Sequence, residues 1–125
     1  MSELRDRIKE IIDTEDVVVF MKGTPQWVMC GNSMRALEAL RAIEAPIAAV
    51  DILPNPEYRQ ELTAISGWPT IPQVFVKGEL IGGADIVQEL VVSGDLQQKL
   101  VDALGEDYRA PGEEKTLALA APASA

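Results

Sequence analysis

Five consecutive apolar residues, "VVVFM" from Val17 to Met21, constrain this chain more than any other feature. An apolar run rich in β-branched residues and without a polar partner on either side marks a strand buried on both faces. Such a strand needs cover front and back, so helices must flank its sheet. The surrounding pattern supplies them. Leu4, Ile8, Ile11 and Ile12 fall on one face at helical spacing, which predicts an amphipathic helix over Ser2–Asp13. Met34, Leu37, Leu40 and Ile43 predict a second helix over Ser33–Ile43, and "PIAAVDI" (Pro46–Ile52) reads as a second strand. "PEYRQELTAIS" starts with Pro56, which fits a first helical turn. "QVFVKGELIGG" predicts a hairpin, with strands at Gln73–Val76 and Glu79–Ile81 and a turn at Lys77–Gly78. Two helices follow, Asp85–Val92 and Asp95–Leu104.

The order α-β-α-β-α-β-β-α-α implies a parallel pair with a right-handed crossover, then antiparallel strands added to the same sheet. The expected fold is a small α/β sandwich with a mixed four-stranded sheet flanked by helices. A length of 125 residues suits one domain with a real core. That domain is expected over residues 1–107. From Tyr108 onward, "YRAPGEEKTLALAAPASA" loses apolar periodicity and is expected to be a disordered tail over 108–125, removable at little cost.

Charge narrows the partners. A formal net charge of −9 repels phosphate backbones, so no nucleic acid is expected. No apolar run is long enough to span a bilayer, and "MSELRDRIKEII" has no apolar signal core, so no membrane partner is expected. One cysteine and no histidine exclude an internal disulfide, Ser-His-Asp or Cys-His catalysis, and histidine metal sites. A reducing, cytoplasmic setting is the simplest expectation.

The single cysteine, Cys30, falls between the end of a strand and the start of a helix. Free N–H groups and partial positive charge at a helix N-terminus stabilise a thiolate, and Lys22 at the strand end adds charge. Many free cysteines are only small buried hydrophobes, but this position favours reactivity. Cys30-Gly31-Asn32-Ser33 has C-x-x-C spacing with Ser33 in place of the second thiol. Any disulfide from Cys30 must therefore involve another molecule. Ser33 and Asn32 are also common helix caps.

Two further stretches belong to the same chemistry. In "GWPTIPQVF" (Gly67–Phe75), the run Thr70-Ile71-Pro72 before a strand invites a cis X–Pro bond, although strand-start prolines are common. In "GGADI" (Gly82–Ile86), two glycines before a helix allow close approach to backbone, and the helix start at Ala84–Asp85 suits a carboxylate. By default Asp85 reads as an ordinary N-cap and Arg59 as a solvated face residue. Together, a thiol, an extended-peptide edge, a carboxylate cradle and cations describe a pocket for a small anionic thiol peptide.

These residues resemble the monothiol glutaredoxins, a branch of the thioredoxin-like fold. The likeness covers about Leu4 to Leu104, through "FMKGTPQWVMCGNS", "DILPNPEYRQEL", "GWPTIPQVFVKGELIGGADI" and "SGDLQQKL" in the family order. The long loop between Lys22 and Cys30 is itself a mark of that branch. The resemblance implies a glutathione site. Lys22 and Arg59 would meet the glycine carboxylate, Thr70, Ile71 and a cis Pro72 would pair with the cysteinyl backbone, and Gly83, Ala84 and Asp85 would hold the γ-glutamyl end. Cys30 would be the reactive or iron-ligating thiol. Two departures stand out: Asn32 replaces the usual phenylalanine, and Ala84 stands where many members have a cysteine.

A [2Fe–2S] cluster usually takes four thiolates. With one per chain, the resemblance implies a homodimer bridged by the cluster with two glutathiones, or a shared site with a BolA-like partner, for delivery to recipient iron–sulfur proteins. The alternative is a glutathione-dependent thiol–disulfide oxidoreductase that removes glutathione from substrates with Cys30 as nucleophile. A cluster-free binding module is a third reading.

Overall fold

A computed structural model describes residues 3–119. Ser2, the expected start of the first helix, lies outside the described residues. The elements run α1 (Glu3–Thr14), β1 (Val17–Met21), β2 (Gly23–Thr24), β3 (Trp27–Val28), α2 (Gly31–Ala42), β4 (Ile47–Asp51), α3 (Pro56–Ser66), β5 (Gln73–Val76), β6 (Glu79–Gly82), α4 (Ala84–Ser93), α5 (Asp95–Leu104) and β7 (Lys115–Thr116).

All five residues of β1 are fully buried. The strand sits in the middle of a mixed sheet ordered β6-β5-β1-β4-β7. It runs parallel to β4, with Val17 opposite Ile47 and Met21 opposite Asp51, and antiparallel to β5, with Val17 opposite Val76. Alternation along β1 divides the core into two. Val17, Val19 and Met21 pack with Leu37 and Leu40 of α2, Val87 of α4 and Leu96 and Leu100 of α5. Val18 and Phe20 pack with Ile8 and Ile11 of α1 and Tyr58 and Leu62 of α3. Phe20 meets Phe75 edge-on, centroids 5.7 Å apart, an arrangement the ring quadrupoles favour. Helices thus cover both faces of the mixed sheet, as the buried central strand requires.

Local chemistry explains the element ends. Asn55 caps α3 by accepting the Glu57 N–H at 2.9 Å, Pro56 starts the helix, and Gly67 ends it at φ 71°. Lys77 and Gly78 both take positive φ, as a two-residue hairpin turn of matching twist requires.

The structure corrects the expected loop and tail. Lys22–Met29 is not all loop, because Gly23–Thr24 and Trp27–Val28 pair as a miniature antiparallel hairpin. The sheet has a fifth, two-residue strand, which belongs to the segment expected to be a disordered tail over 108–125. Lys115 and Thr116 pair in parallel with Ala48 and Ala49. Tyr108 is 5% exposed and donates its hydroxyl to the Ile43 carbonyl at 3.0 Å, and Leu119 is 7% exposed. Arg41 grips Glu114 with two hydrogen bonds of 2.7 and 2.8 Å. The packed body thus continues past 107 to Leu119. Residues 120–125 lie outside the described residues. Periodicity misses this segment because it docks through isolated anchors and edge hydrogen bonds, and neither repeats along the chain.

Candidate functional site

Cys30 is the N-cap of α2. Its backbone is extended (φ −153°, ψ 132°) and its carbonyl accepts the Met34 N–H at 3.0 Å. The side chain therefore lies against the open first turn. Partial burial pushes the thiol up, but the Ser33 N–H, then the Asn32 N–H, the Ser33 hydroxyl and the Lys22 charge together outweigh it, so the thiol titrates below its ordinary value. Lys22, which the sequence offers as an activating charge, is the weakest of these four influences.

Neither Ser33 nor Asn32 caps the helix with its side chain. Ser33 is wholly buried, and its Oγ accepts the Lys22 N–H at 3.0 Å. It ties the end of β1 to the first turn of α2 and so fixes the thiol against the strand. The intervening hairpin is clamped at its base by Met29 N–H donating to the Lys22 carbonyl at 2.9 Å. Gly23 (φ 95°) is required there, since a Cβ would lie 2.3 Å from the Trp27 carbonyl oxygen. Asp51, at the end of β4, accepts the N–H groups of Gly23 and Leu53, each at 2.9 Å. The hairpin leaves Trp27 73% and Met29 57% exposed beside the cysteine.

The expected ligand residues line two clefts. One, of about 630 Å³, has Lys22, Arg59, Leu53, Pro56, Gln60 and Pro69 on its walls. Arg59 is exposed, as a solvated face residue is, and donates to the Pro69 carbonyl at 3.1 Å on the wall of this cleft. The other cleft, of about 260 Å³, is bordered by Asn32, Thr70, Ile71, Gly83, Ala84 and Asp85. Pro72, whose bond to Ile71 is cis, also lines it. The run Pro69–Pro72 borders both clefts.

The N-cap of α4 is Gly83, not Asp85, and no side chain caps that end. Its partial positive charge is open to a carboxylate. Asp85 is exposed, and Arg35 holds its Oδ1 at 2.6 Å.

Three residues that sequence reasoning passed over shape the site. Gln73, wholly buried, donates from Nε2 to the carbonyls of Trp68 (2.8 Å) and Thr70 (3.2 Å), which fixes the wall shared by the clefts. Its one visible signal is a polar residue opening an apolar strand. Asp51 and Arg35 carry no such signal, since their partners are distant in sequence. Among the described residues, no group of three or more His, Cys, Asp or Glu side chains could hold a metal ion. No helix among them is long and apolar enough to cross a membrane.

The chain is similar to known proteins over most of its length. A family model described as Glutaredoxin matches residues 17–81. "Glutaredoxin 4" of Pasteurella multocida is 46% identical over 100 residues, covering 80% of this chain and 92% of that protein. "Probable monothiol glutaredoxin GrlA" of Legionella pneumophila is 49% identical over 87 residues, covering 70% and 98% respectively. Among solved structures, reduced poplar apo GrxS14 superposes with a TM-score of 0.72 at 39% identity, covering 81% of this chain and 93% of that one.

Proposed function

Because the chain belongs to the glutaredoxin family, in its monothiol branch, we propose that it binds glutathione and carries a [2Fe–2S] cluster as cargo for iron–sulfur proteins. The observation that carries this reading is the environment of the one thiol. Cys30 is stabilised as a thiolate, and the position a second thiol would take is Ser33, buried and committed to the Lys22 N–H. A thiolate that cannot close an internal disulfide stays available to a metal or to an external sulfur.

The two clefts suit the tripeptide's chemistry. Lys22 and Arg59 offer cations to the glycine carboxylate. Thr70, Ile71 and Pro72 offer backbone groups to the cysteinyl residue. Gly83, Ala84 and Asp85 pair a helix terminus with a carboxylate, which suits the zwitterionic γ-glutamyl end. Ligand counting then sets the assembly. Four thiolates come from Cys30 of two chains and from two glutathiones, or a BolA-like protein takes the second chain's place. Half of the ligands are then exchangeable small molecules, as cargo release requires. A reducing compartment that holds glutathione, such as the cytoplasm, fits this reading.

The lowered thiol supports a second activity. The Cys30 thiolate would attack the glutathionyl sulfur of a mixed disulfide and expel the substrate thiolate. A second glutathione would then attack the Cys30–glutathione disulfide, releasing oxidised glutathione and restoring the thiolate.

Anaerobic reconstitution with iron, sulfide and glutathione tests the first reading. One [2Fe–2S] cluster per two chains, lost on Cys30→Ser, is expected. A colourless protein that still turns over a glutathionylated substrate would move the function to the second reading.

A further inference from the structure

Asp85 is the one acidic residue bordering the cleft with Thr70, Ile71 and Gly83, and it is not free. Arg35 Nη2 lies 2.6 Å from Asp85 Oδ1 and also donates to Gln88 Oε1. Arg35 Nη1 donates to Asn32 Oδ1 at 3.0 Å. Asn32 and Arg35 are three apart on α2 and so share a face. Asn32 thus splints the guanidinium across to the start of α4. A phenylalanine at residue 32 has no acceptor to offer Arg35, so the polar residue here has a structural partner.

We infer that Arg35 is a specificity-determining residue, whose ion pair withholds the Asp85 carboxylate from the amino group of a γ-glutamyl thiol peptide. The inference rests on the glutathione reading above. A γ-glutamyl end carries an ammonium and a carboxylate on one carbon. The carboxylate is served by the uncapped terminus of α4. The ammonium needs an anion, and Asp85 is that anion. Arg35 engages Oδ1, so the ligand's ammonium must displace the guanidinium or share the carboxylate with it through Oδ2. The pair is displaceable because it is exposed, with 42% of the Arg35 side chain and 81% of the Asp85 side chain accessible. Exposed pairs are weak and screened. The site therefore gains less from the ligand's amine than an unpaired carboxylate would, and ligands lacking the amine are penalised less.

The test compares glutathione with its desamino analogue, in which hydrogen replaces the γ-glutamyl amine. Calorimetry at low ionic strength gives the ratio of the two dissociation constants in the wild-type chain, Arg35→Gln and Asn32→Ala. The ratio is expected to rise roughly twofold to fivefold in Arg35→Gln, the range an exposed ion pair supplies. A smaller rise is expected in Asn32→Ala, where the guanidinium loses its splint. Loss of packing at residue 35 would weaken both ligands alike and leave the ratio unmoved. An unchanged ratio in Arg35→Gln, with both ligands bound, overturns the inference and leaves the glutathione reading standing. Binding of neither ligand to any of the three proteins removes that reading and this inference with it.

Discussion

Replacement of Tyr108 by alanine is expected to destabilise the domain by about 2–4 kcal/mol, which places the cost near that of a buried core aromatic. The ring is 5% exposed and its hydroxyl reaches the Ile43 carbonyl. Tyr108→Phe keeps the ring and removes one hydrogen bond to a buried acceptor, so about 1 kcal/mol is expected. Truncation after Asp107 removes Tyr108, the Leu119 anchor and the Arg41–Glu114 bridge together. It also releases the chain entropy of the ordered segment, so its cost should fall in the range of Tyr108→Ala and not at the sum of the contacts. In a domain of this size roughly 3 °C or more of Tm accompanies each kcal/mol, so Tyr108→Ala should melt roughly 6–15 °C lower. Acid adds a check. The hydrogen bond from Arg41 holds Glu114 below the ordinary carboxylate value. Its contribution is present above that ordinary value and is lost as pH falls through the lowered one. Thermal melts of the full chain, the truncation and both point variants at neutral and acidic pH measure all of this. A truncated protein melting within about a degree of the full chain would refute the reasoning, since a docked segment cannot be lost without cost.

Ser33→Ala removes the acceptor of the Lys22 N–H and one donor to the thiol. The inflection in alkylation rate against pH should move upward from a wild-type value below that of a free thiol, and stability should fall by about 1–3 kcal/mol. Gly23→Ala forces a Cβ to within 2.3 Å of the Trp27 carbonyl. It should unseat the hairpin and lower stability by more than about 1 kcal/mol in urea melts. Arg59→Ala should weaken glutathione binding about tenfold by calorimetry, the loss of one charge-assisted hydrogen bond. The [2Fe–2S]-loaded protein should lose its visible absorption in air faster than loaded Asn32→Phe, because an aromatic ring shields a cluster from solvent better than an amide does.

The middle of this fold is legible because burial leaves a local trace. "VVVFM" contains no polar residue, and its two faces require the two helical layers that the structure has. The helix Pro56–Ser66 matches its expected span because its proline and its terminal glycine are both local signals. Cys30 is legible for the same reason: its lowered thiol follows mainly from Asn32 and Ser33 beside it, with Lys22 at the strand end. Arg35 and Asp51 are not, because their partners lie 50 and 28 residues away. No window of sequence reports a polar bond across such a gap. The tail is misread for a related reason. Tyr108, Leu117 and Leu119, separated by one proline, one glycine and several charges, have no helical or strand period, and what holds them is a core and a sheet edge formed elsewhere.

The miniature hairpin before Cys30 separates what mutation can vary from what it cannot. Gly23 admits no Cβ, Ser33 and Asp51 accept backbone N–H groups, and together the three set where the thiol sits. Trp27 and Met29, mounted on the same frame, are mostly exposed, with the base of the Met29 side chain close to Gly23. Trp27, the more exposed of the two, can therefore vary more readily than Gly23, Ser33 or Asp51 while the thiolate stays at the same helix terminus. The surface beside the thiol and the chemistry of the thiol itself can then change independently, because different residues set each.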